Sequence, residues 1–253
     1  MITLKSKAEV ACIEAACRIV GDILEFLEAK IKPGVTTLEL DNLAGDYIGQ
    51  RGAVSAFKGY KGFPANICTS VNDVIVHGIP GRQVLKDGDI ISVDVGVKLN
   101  GYYGDAAITF PVGKISQEAK RLLAVAEGAL YEGISKASAD NRLYDISSAI
   151  QKYAESNGFS VVREFVGHGI GSKMHEDPQI PNFGEAGTGP RLKPGMVFAI
   201  EPMVNSGTYK AEVLEDGWTA VTKDRRLSAH FEHTIYIGEG GPEILTKWQK
   251  RNL

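Results

Sequence analysis

The chain has 253 residues, of which 43% are hydrophobic and 23% charged, as is typical of a soluble globular protein. A net charge of −3 without a basic run leaves no electrostatic signal for direct nucleic-acid binding. The N-terminus lacks the apolar core of a signal peptide, and no apolar stretch approaches the roughly 18 residues of a membrane span. Three cysteines without C-x-x-C spacing predict reduced thiols in a cytoplasmic protein.

Two helices are predicted first along the chain. Ser6 is a plausible N-cap for a helix that extends to about residue 30, where Lys32-Pro33-Gly34 ends it. Thr36 and Glu39 have the spacing of a capping box, which predicts a second helix to about Arg51.

A strand and a hairpin follow. The strand is predicted to end at His77. Over residues 89–110, apolar side chains alternate with polar ones and glycine, which is typical of strands. Asn100-Gly101 predicts a two-residue type I′ turn, because that turn needs positive φ at both central positions.

The predicted turn fixes the register of two acidic residues. It places Gly96 opposite Asp105 and Asp94 opposite Ala107, so the two carboxylates share a face as diagonal neighbours, with Cα atoms roughly 7–8 Å apart. Carboxylates this close repel each other. They are in open water, or one is protonated, or they share a metal ion, and the flanking apolar residues disfavour open water.

The rest of the chain predicts two more helices and three strands. Ser116 caps a helix to about residue 138, and Asp140 or Asn141 starts another to about residue 157. The strands are predicted over residues 160–166, 196–204 and 229–237. An irregular stretch that holds Trp218 separates the last two strands.

The order of these elements indicates an internal duplication. His77-Gly78-Ile79-Pro80 recurs as His168-Gly169-Ile170-Gly171. The segment 85–94 recurs as 192–201 at a constant shift of 107 residues, which matches Asp94 to Glu201. Each half then adds a second acidic strand residue.

Two related halves packed about a pseudo-twofold axis would bring corresponding residues together. The predicted cluster contains Asp94, Asp105, Glu201 and Glu232, with His168 beside them. Oxygen-rich ligands with one imidazole suit manganese, iron, cobalt or zinc. Five ligands are too many for one tetrahedral zinc but fit two ions roughly 3.5–4 Å apart. Such a pair polarises a carbonyl and lowers the pKa of a shared water, so amide or ester hydrolysis is the predicted reaction class.

Several stretches resemble the type I methionine aminopeptidases, of the pita-bread metallopeptidase family. They are GYKGFPANICTSVNDVIVHGIP, DIISVDVGVKLNGYYGDAAITF, FVGHGIGSKMHEDPQIPNF, GMVFAIEPMVN and FEHTIYI. The resemblance covers nearly the whole chain. It implies an α/β (α+β) pita-bread fold, with two pseudo-symmetric helix–helix–sheet halves around a central curved antiparallel sheet. It also implies a single catalytic domain over 1–253, with a pseudo-repeat of about 1–112 and 113–253 and no N-terminal extension.

The resemblance implies roles for the five clustered residues. All five would be metal ligands. Asp105 and Glu232 would bridge two divalent ions, Asp94 would hold one of them, and His168 and Glu201 would hold the other. A metal-bridged hydroxide would attack the scissile carbonyl. Glu201 would also carry protons from that attacking water to the leaving amine.

The resemblance also implies a substrate site. His77 and His175 would hydrogen-bond the substrate and the tetrahedral intermediate without binding metal. The pocket for the methionine side chain would be lined by Tyr60, Phe63, Cys68 and Trp218, narrowed by Phe57 and Met174. Positions 57, 63 and 174 depart from the residues common in such enzymes, which leaves the pocket width open. The two histidines that flank Glu232 are expected to be structural.

The implied function is removal of the initiator methionine from nascent proteins whose second residue is small. The implied setting is the cytoplasm, near the ribosome, for a monomer with no membrane or nucleic-acid partner. Two alternatives stay open. X-Pro aminopeptidases and prolidases share the five ligands but usually carry an additional N-terminal domain. Non-catalytic pita-bread binding proteins have lost the ligands, whereas all five are present here.

Overall fold

The computed structural model describes residues 2–248. Its helices are α1 (Lys7–Glu28), α2 (Thr37–Gln50), α3 (Gln117–Ser135) and α4 (Leu143–Ser156), with a 3₁₀ turn at Tyr60–Gly62. The strands of the first half are β1 (Val54–Ser55), β2 (Cys68–Val71), β3 (Val74–Val76), β4 (Ile90–Leu99) and β5 (Tyr102–Pro111). Then come β6 (Ser160–Val161), β7 (Gly167–Gly169), β8 (Glu176–Ile180), β9 (Val197–Ile200) and β10 (Met203–Asn205). The last strands are β11 (Ala211–Val213), β12 (Ala220–Thr222), β13 (Ser228–His230), β14 (His233–Gly238) and β15 (Gly241–Ile244).

The paired strands run antiparallel, and one sheet joins strands of both halves. Strand β4 pairs with β1, β2 and β5, while a five-stranded sheet has the order β15-β14-β9-β7-β8. Two smaller sheets have the orders β13-β10-β6 and β11-β12-β3. Helix α1 packs on β4 and β5, and α3 packs on α4 and on strands of the second half. No helix within residues 2–248 is both long enough and apolar enough to cross a membrane.

The capping predictions for the first two helices are confirmed. The backbone N–H of Ser6 donates to the Glu9 carboxylate at 2.9 Å, while the Ser6 side chain accepts from the Glu9 N–H. Thr36 and Glu39 make the same reciprocal pair. Each of these boxes satisfies backbone donors that a helix N-terminus leaves free.

The predicted start of the fourth helix, at Asp140 or Asn141, is wrong. The N-cap of α4 is Arg142, whose backbone N–H donates to the Asp145 carboxylate at 2.7 Å. Asn141 instead donates its side-chain amide to the carbonyl of Lys136, so it closes the preceding turn.

The first hairpin has the predicted register. Gly96 lies opposite Asp105, and Asp94 lies opposite Ala107. The turn residues Asn100 and Gly101 have φ values of 49° and 86°, as the type I′ turn requires. The ladder is continuous over all ten residues of each strand.

The strands of the second half were predicted too long. The strand expected over 196–204 is broken after Ile200, and the one expected over 229–237 is broken between β13 and β14. Pro202 lies in the first break and has no backbone N–H for a ladder. The predicted strand over 160–166 shrinks to β6, and the stretch expected to be irregular holds β11 and β12.

The predicted strand that ends at His77 is two strands. Asn72 has a φ of 55° and turns the chain between β2 and β3. His77 itself has a φ of 60° and follows the last residue of β3. Positive φ is uncommon for a residue with a Cβ, so the strand ends before His77.

Candidate metal centre and pocket

The four carboxylates converge from both halves of the chain. Asp94 lies in β4 and Asp105 in β5, while Glu201 follows β9 and Glu232 precedes β14. The backbone of Glu232 exchanges two hydrogen bonds with Ala107, which itself faces Asp94 across the first hairpin. The contacts of Ala107 therefore bring Asp94 of the first half close to Glu232 of the second half.

His168 completes this cluster. Potential ligand atoms of Asp105, His168 and Glu232 all lie within 4.8 Å of one another. The His168 Nδ1–H donates to the Gly169 carbonyl at 2.9 Å, which leaves the lone pair on Nε2. That Nε2 lies 3.7 Å from Asp105 Oδ2 and 3.6 Å from Glu201 Oε1.

The glycines beside His168 allow β7 to fit between β8 and β9. A Cβ at Gly169 would lie 2.2 Å from the Asp177 carbonyl oxygen, and one at Gly167 would lie 2.5 Å from that of Ala199. A side chain at either position would push the strands apart. The two glycines therefore fix how closely the imidazole approaches the carboxylates.

The electrostatics of the cluster favour a bound cation. Burial raises the pKa of Asp105 to about 8, and burial together with neighbouring carboxylates raises the pKa values of Asp94, Glu201 and Glu232. Within residues 2–248, Asp94 Oδ1, Asp105 Oδ1 and Glu232 Oε1 are buried without a hydrogen-bond partner. Unpaired carboxylate oxygens and a neutral imidazole are the ligand types that a divalent ion takes, so these residues fit such an ion.

The histidines of the site are neutral at pH 7. Burial lowers the pKa of His168 to about 4 and that of His77 to about 4. Burial and the nearby His168 lower the pKa of His175 to about 4 as well. Neutral rings can ligate a metal or exchange hydrogen bonds with a substrate.

A cavity of about 170 Å³ opens above the carboxylates. Its lining includes every candidate ligand and pocket residue that the sequence suggested. These are Phe57, Tyr60, Phe63, Cys68, His77, Asp94, Asp105, His168, Met174, His175, Glu201, Trp218 and Glu232. The structure thus brings together all thirteen residues, although they span most of the chain.

Aromatic rings form one wall of the cavity. Phe63 packs edge-on against Trp218 at 5.1 Å between ring centroids and against Phe57 at 6.5 Å. Gly96 makes room for this wall, because a Cβ there would lie 2.5 Å from the Phe57 ring. The wall is apolar and suits an uncharged, flexible side chain.

Two histidines lie beside the cluster. His175 Nδ1 hydrogen-bonds the Tyr60 hydroxyl at 3.0 Å, and its ring centroid lies 4.3 Å from that of His168. His77 contacts Trp218 edge-on at 6.2 Å between centroids. Both imidazoles therefore border the cavity from opposite halves of the chain.

Comparison with known families identifies the family of this chain. The sequence model of metallopeptidase family M24 matches residues 11–239. The chain belongs to metallopeptidase family M24. Family membership implies that this peptidase uses divalent metal, in agreement with the chemistry of the carboxylate cluster.

Similar proteins narrow the position of this M24 peptidase within the family. A methionine aminopeptidase of Clostridium perfringens is 56% identical over 97% of this chain and 99% of that protein. Methionine aminopeptidase 1 of Bacillus subtilis is also 56% identical, over 98% of this chain and all of that protein. The crystal structure of the Rickettsia prowazekii methionine aminopeptidase superposes with a TM-score of 0.96 at 44% identity, covering 98% of this chain and 100% of that one. These matches confirm the predicted family and pita-bread fold.

A likeness in fold also links this M24 peptidase to prolidases. The solved prolidase of Pyrococcus furiosus has a TM-score of 0.80 at 22% identity. The match covers 98% of this chain but 66% of the prolidase.

One residue that lines the cavity of this M24 peptidase, Lys61, was not predicted from the sequence. Lys61 lines the cavity, and its Nζ lies 5.5 Å from the centroid of the Tyr60 ring. The signal available was its place between Tyr60 and Phe63, both already assigned to the pocket. The prediction that His230 is structural stands, and its Nε2 lies 3.9 Å from oxygens of both Glu201 and Glu232.

Proposed function

We propose that this chain releases the N-terminal methionine of polypeptides whose second residue is small. The observation that carries the proposal is a cavity in which an apolar aromatic wall adjoins a cluster of four carboxylates and His168. Near-full-length relatives named methionine aminopeptidase support the same assignment.

The ligand set supports two divalent ions per chain. The five ligands would be Asp94, Asp105, His168, Glu201 and Glu232. Manganese, iron, cobalt and zinc all accept carboxylate and imidazole ligands. Two such cations would balance four negative charges that are costly to bury unpaired. When bound, they would polarise the scissile carbonyl and lower the pKa of a water molecule.

The protein groups supply positioning and proton transfer. Glu201 borders the cavity at the cluster, where its carboxylate can take a proton from the attacking water and pass it to the leaving amine. The neutral His77 and His175 can hydrogen-bond the substrate and the oxygen on which negative charge develops. The substrate's free amine would lie beside Asp94, which lines the cavity, and this would restrict cleavage to the first residue.

The aromatic wall supports selection of methionine. A thioether is apolar, flexible and polarisable, so it packs well on the edges of Phe63 and Trp218 and on the thiol of Cys68. Phe57 and Met174 narrow the same space. A charged first residue would lose hydration against this wall without gaining a partner. The space beyond the scissile bond, walled by histidines and loops, would exclude large second residues.

The cellular setting follows from this substrate. We place the enzyme in the cytoplasm as a monomer that acts on the N-termini of nascent chains, near the ribosome. One catalytic domain with two related halves, about 1–112 and 113–253, would be sufficient for this reaction.

Cleavage of test peptides distinguishes this function from that of an X-Pro peptidase. With added manganese or cobalt, Met-Ala-Ser should be cleaved and Ala-Pro should not. In a series Met-X-Gly-Lys, release should be efficient for X = Ala, Ser, Gly, Thr, Pro, Val or Cys and poor for X = Leu, Lys, Phe or Glu. Comparable rates for Ala and Phe, or faster release of Leu than of Met, would overturn the proposal. No hydrolysis of any peptide would favour a binding protein.

A further inference from the structure

The two halves of the protein meet at a short seam beside the carboxylate cluster. At its centre, the N–H of Glu232 donates to the Ala107 carbonyl at 2.9 Å, and the N–H of Ala107 donates back at 3.4 Å. This pair runs antiparallel between β5 of the first half and the residue that precedes β14 of the second.

Two threonine hydroxyls continue the seam on either side of that pair. Thr234 Oγ1 donates to the Asp105 carbonyl at 2.7 Å and accepts from the Asp105 N–H at 3.2 Å. Thr109 Oγ1 donates to the His230 carbonyl at 2.8 Å and accepts from the His230 N–H at 2.9 Å. Both threonines are buried, with 0% and 3% of their surface exposed.

The two contacts are related by a local twofold axis through the central pair. Thr109 lies two residues after Ala107, and Thr234 lies two residues after Glu232. Each hydroxyl therefore takes both backbone groups of one residue on the opposite strand. A side-chain oxygen that binds both groups fixes that residue against the other half of the protein.

The two residues that the threonine hydroxyls hold, Asp105 and His230, face the metal cluster. Asp105 is one of the four clustered carboxylates, and its oxygen lies 3.7 Å from His168 Nε2. The His230 Nε2 lies 3.9 Å from oxygens of Glu201 and Glu232. The threonine hydroxyls thus connect the seam between the halves to the positions of groups around the ions.

We propose that Thr234 is a positioning residue of the metal site, which holds Asp105 at the correct distance from Glu232, and that Thr109 is its counterpart for His230. The inference rests on the proposed function, because it assumes that these carboxylates bind metal. Without the Thr234 hydroxyl, two buried backbone groups of Asp105 lose their partner, and the strands can move apart at this point. Partners of metal ligands commonly contribute about 10–100-fold to metal affinity.

The test is a Mn²⁺ titration of the metal-free protein by calorimetry. Thr234→Val keeps the shape and removes the hydroxyl, while Thr234→Ser keeps the hydroxyl. Thr222→Val is the matched control, because the Thr222 hydroxyl is also buried and donates to one backbone carbonyl, that of Arg226 at 2.7 Å, away from the seam. Thermal unfolding of each metal-free variant measures the purely structural cost.

The proposal predicts that Thr234→Val weakens Mn²⁺ binding about 10–100-fold, while Thr234→Ser and Thr222→Val bind as the wild type does. Thr109→Val should give a smaller loss, and it serves as the test if Thr234→Val does not fold. Wild-type affinity in a folded but less stable Thr234→Val, or in Thr109→Val where that variant is the test, would overturn the inference alone. Absence of Mn²⁺ binding by the wild type would instead overturn the proposed function and this inference with it.

Discussion

The two halves of the protein hold their acidic residues in different ways. Those of the first half lie on a regular hairpin, whereas those of the second half lie in an interrupted ladder. Strands β4 and β5 form an unbroken ladder of ten residues each, with Asp94 and Asp105 as diagonal neighbours. In the second half, β9 pairs with β14 and β10 pairs with β13 in one continuous register, but the ladder is interrupted between them. That register places Glu201 opposite Glu232 inside the interruption.

The interruption allows the two halves to meet at the carboxylate cluster. Because Glu232 is not used in its own ladder, its backbone pairs with Ala107 of the first half. Pro202, beside Glu201, cannot donate to a ladder and so keeps the break open. The regular hairpin of the first half is continuous, and the interrupted ladder of the second half places Glu201 and Glu232 against it.

Replacement of one acidic residue in each half should have the largest effect on metal content and turnover. We expect Asp94→Ala and Glu201→Ala each to lose metal and to lower turnover by at least about 100-fold, since each removes a ligand or proton carrier. Both variants should stay folded, because the loss of one negative charge relieves repulsion among the others. Metal content, kcat and circular dichroism would be measured together.

The His168→Ala variant extends the same comparison to the imidazole. It should also lose metal and nearly all turnover while remaining folded. Activity like that of the wild type in any of these three variants would show that the cluster has been assigned wrongly.

A larger side chain at Ala107, where the two halves pair, should lower metal affinity, whereas a larger side chain on the other face of the sheet should lower stability alone. Ala107 faces Asp94 on one side and pairs with Glu232 on the other, so Ala107→Val should place methyl groups among the ligands and lower Mn²⁺ affinity. Ala106→Val is the control, because Ala106 lies opposite Val95 on the other face of the sheet. It should cost about 1–3 kcal/mol of unfolding free energy through overpacking, with Mn²⁺ affinity unchanged.

Equal losses of metal affinity in the two alanine variants would contradict this description of the junction. Calorimetric titration and urea unfolding of both proteins would distinguish the outcomes.

The pKa values predict how the metal-free protein depends on pH. The pKa of Asp105 is raised from 3.8 to about 8, and those of Asp94, Glu201 and Glu232 are also raised. Above pH 6.5 the histidines of the unfolded chain are already mostly neutral, so these carboxylates dominate the proton balance. The folded state then binds more protons than the unfolded state, and the free energy of unfolding falls as pH rises from 6.5 to about 8.5.

Bound metal should remove most of that loss, because the cation replaces the protons. Unfolding would be followed at both pH values with a chelator and with Mn²⁺. Metal-free stability that stays constant or rises over this interval would contradict the assigned pKa directions. Metal affinity should also be lower at pH 5.5 than at pH 7.5.

The smallest expected effect concerns the contact between the first hairpin and the pocket wall. In Gly96→Ala, the new Cβ would overlap the Phe57 ring, so KM for Met-Ala-Ser should rise with little change in kcat. Adding Phe57→Cys should restore KM, because a smaller side chain removes the overlap. A rise in KM that Phe57→Cys does not reverse would show that Gly96 acts in another way.

The contrast between the hairpins also explains what the sequence could predict. The first hairpin follows local rules, with alternation and an Asn100-Gly101 turn, so its register and the pairing of Asp94 with Ala107 were predictable. Pro202 was a local signal for the break in the second half. The pairing of Glu232 with Ala107, more than a hundred positions away, is encoded by no local pattern.

The residues of the candidate site likewise differ in how far the sequence predicts them. The repeat and the family motifs were sufficient to name the five carboxylate and imidazole residues and the aromatic wall. Lys61 could have been found from its place between Tyr60 and Phe63. The inward position of His230 was not predictable from local pattern, because it depends on how the strand break orients the side chain. The hydroxyl contacts of Thr109 and Thr234 cross between halves and likewise leave no periodic signal.

The most direct test of the account is the location of bound metal. Crystals of the wild-type protein grown with Mn²⁺ would be measured at the manganese absorption edge, and an anomalous difference map would be calculated. We predict two peaks, enclosed by Asp94 and Asp105 of the first half, by Glu201 and Glu232 of the second half, and by His168. Peaks contacting carboxylates of one hairpin only, or no peak at the cluster, would contradict the claim that the two halves join to build the metal site.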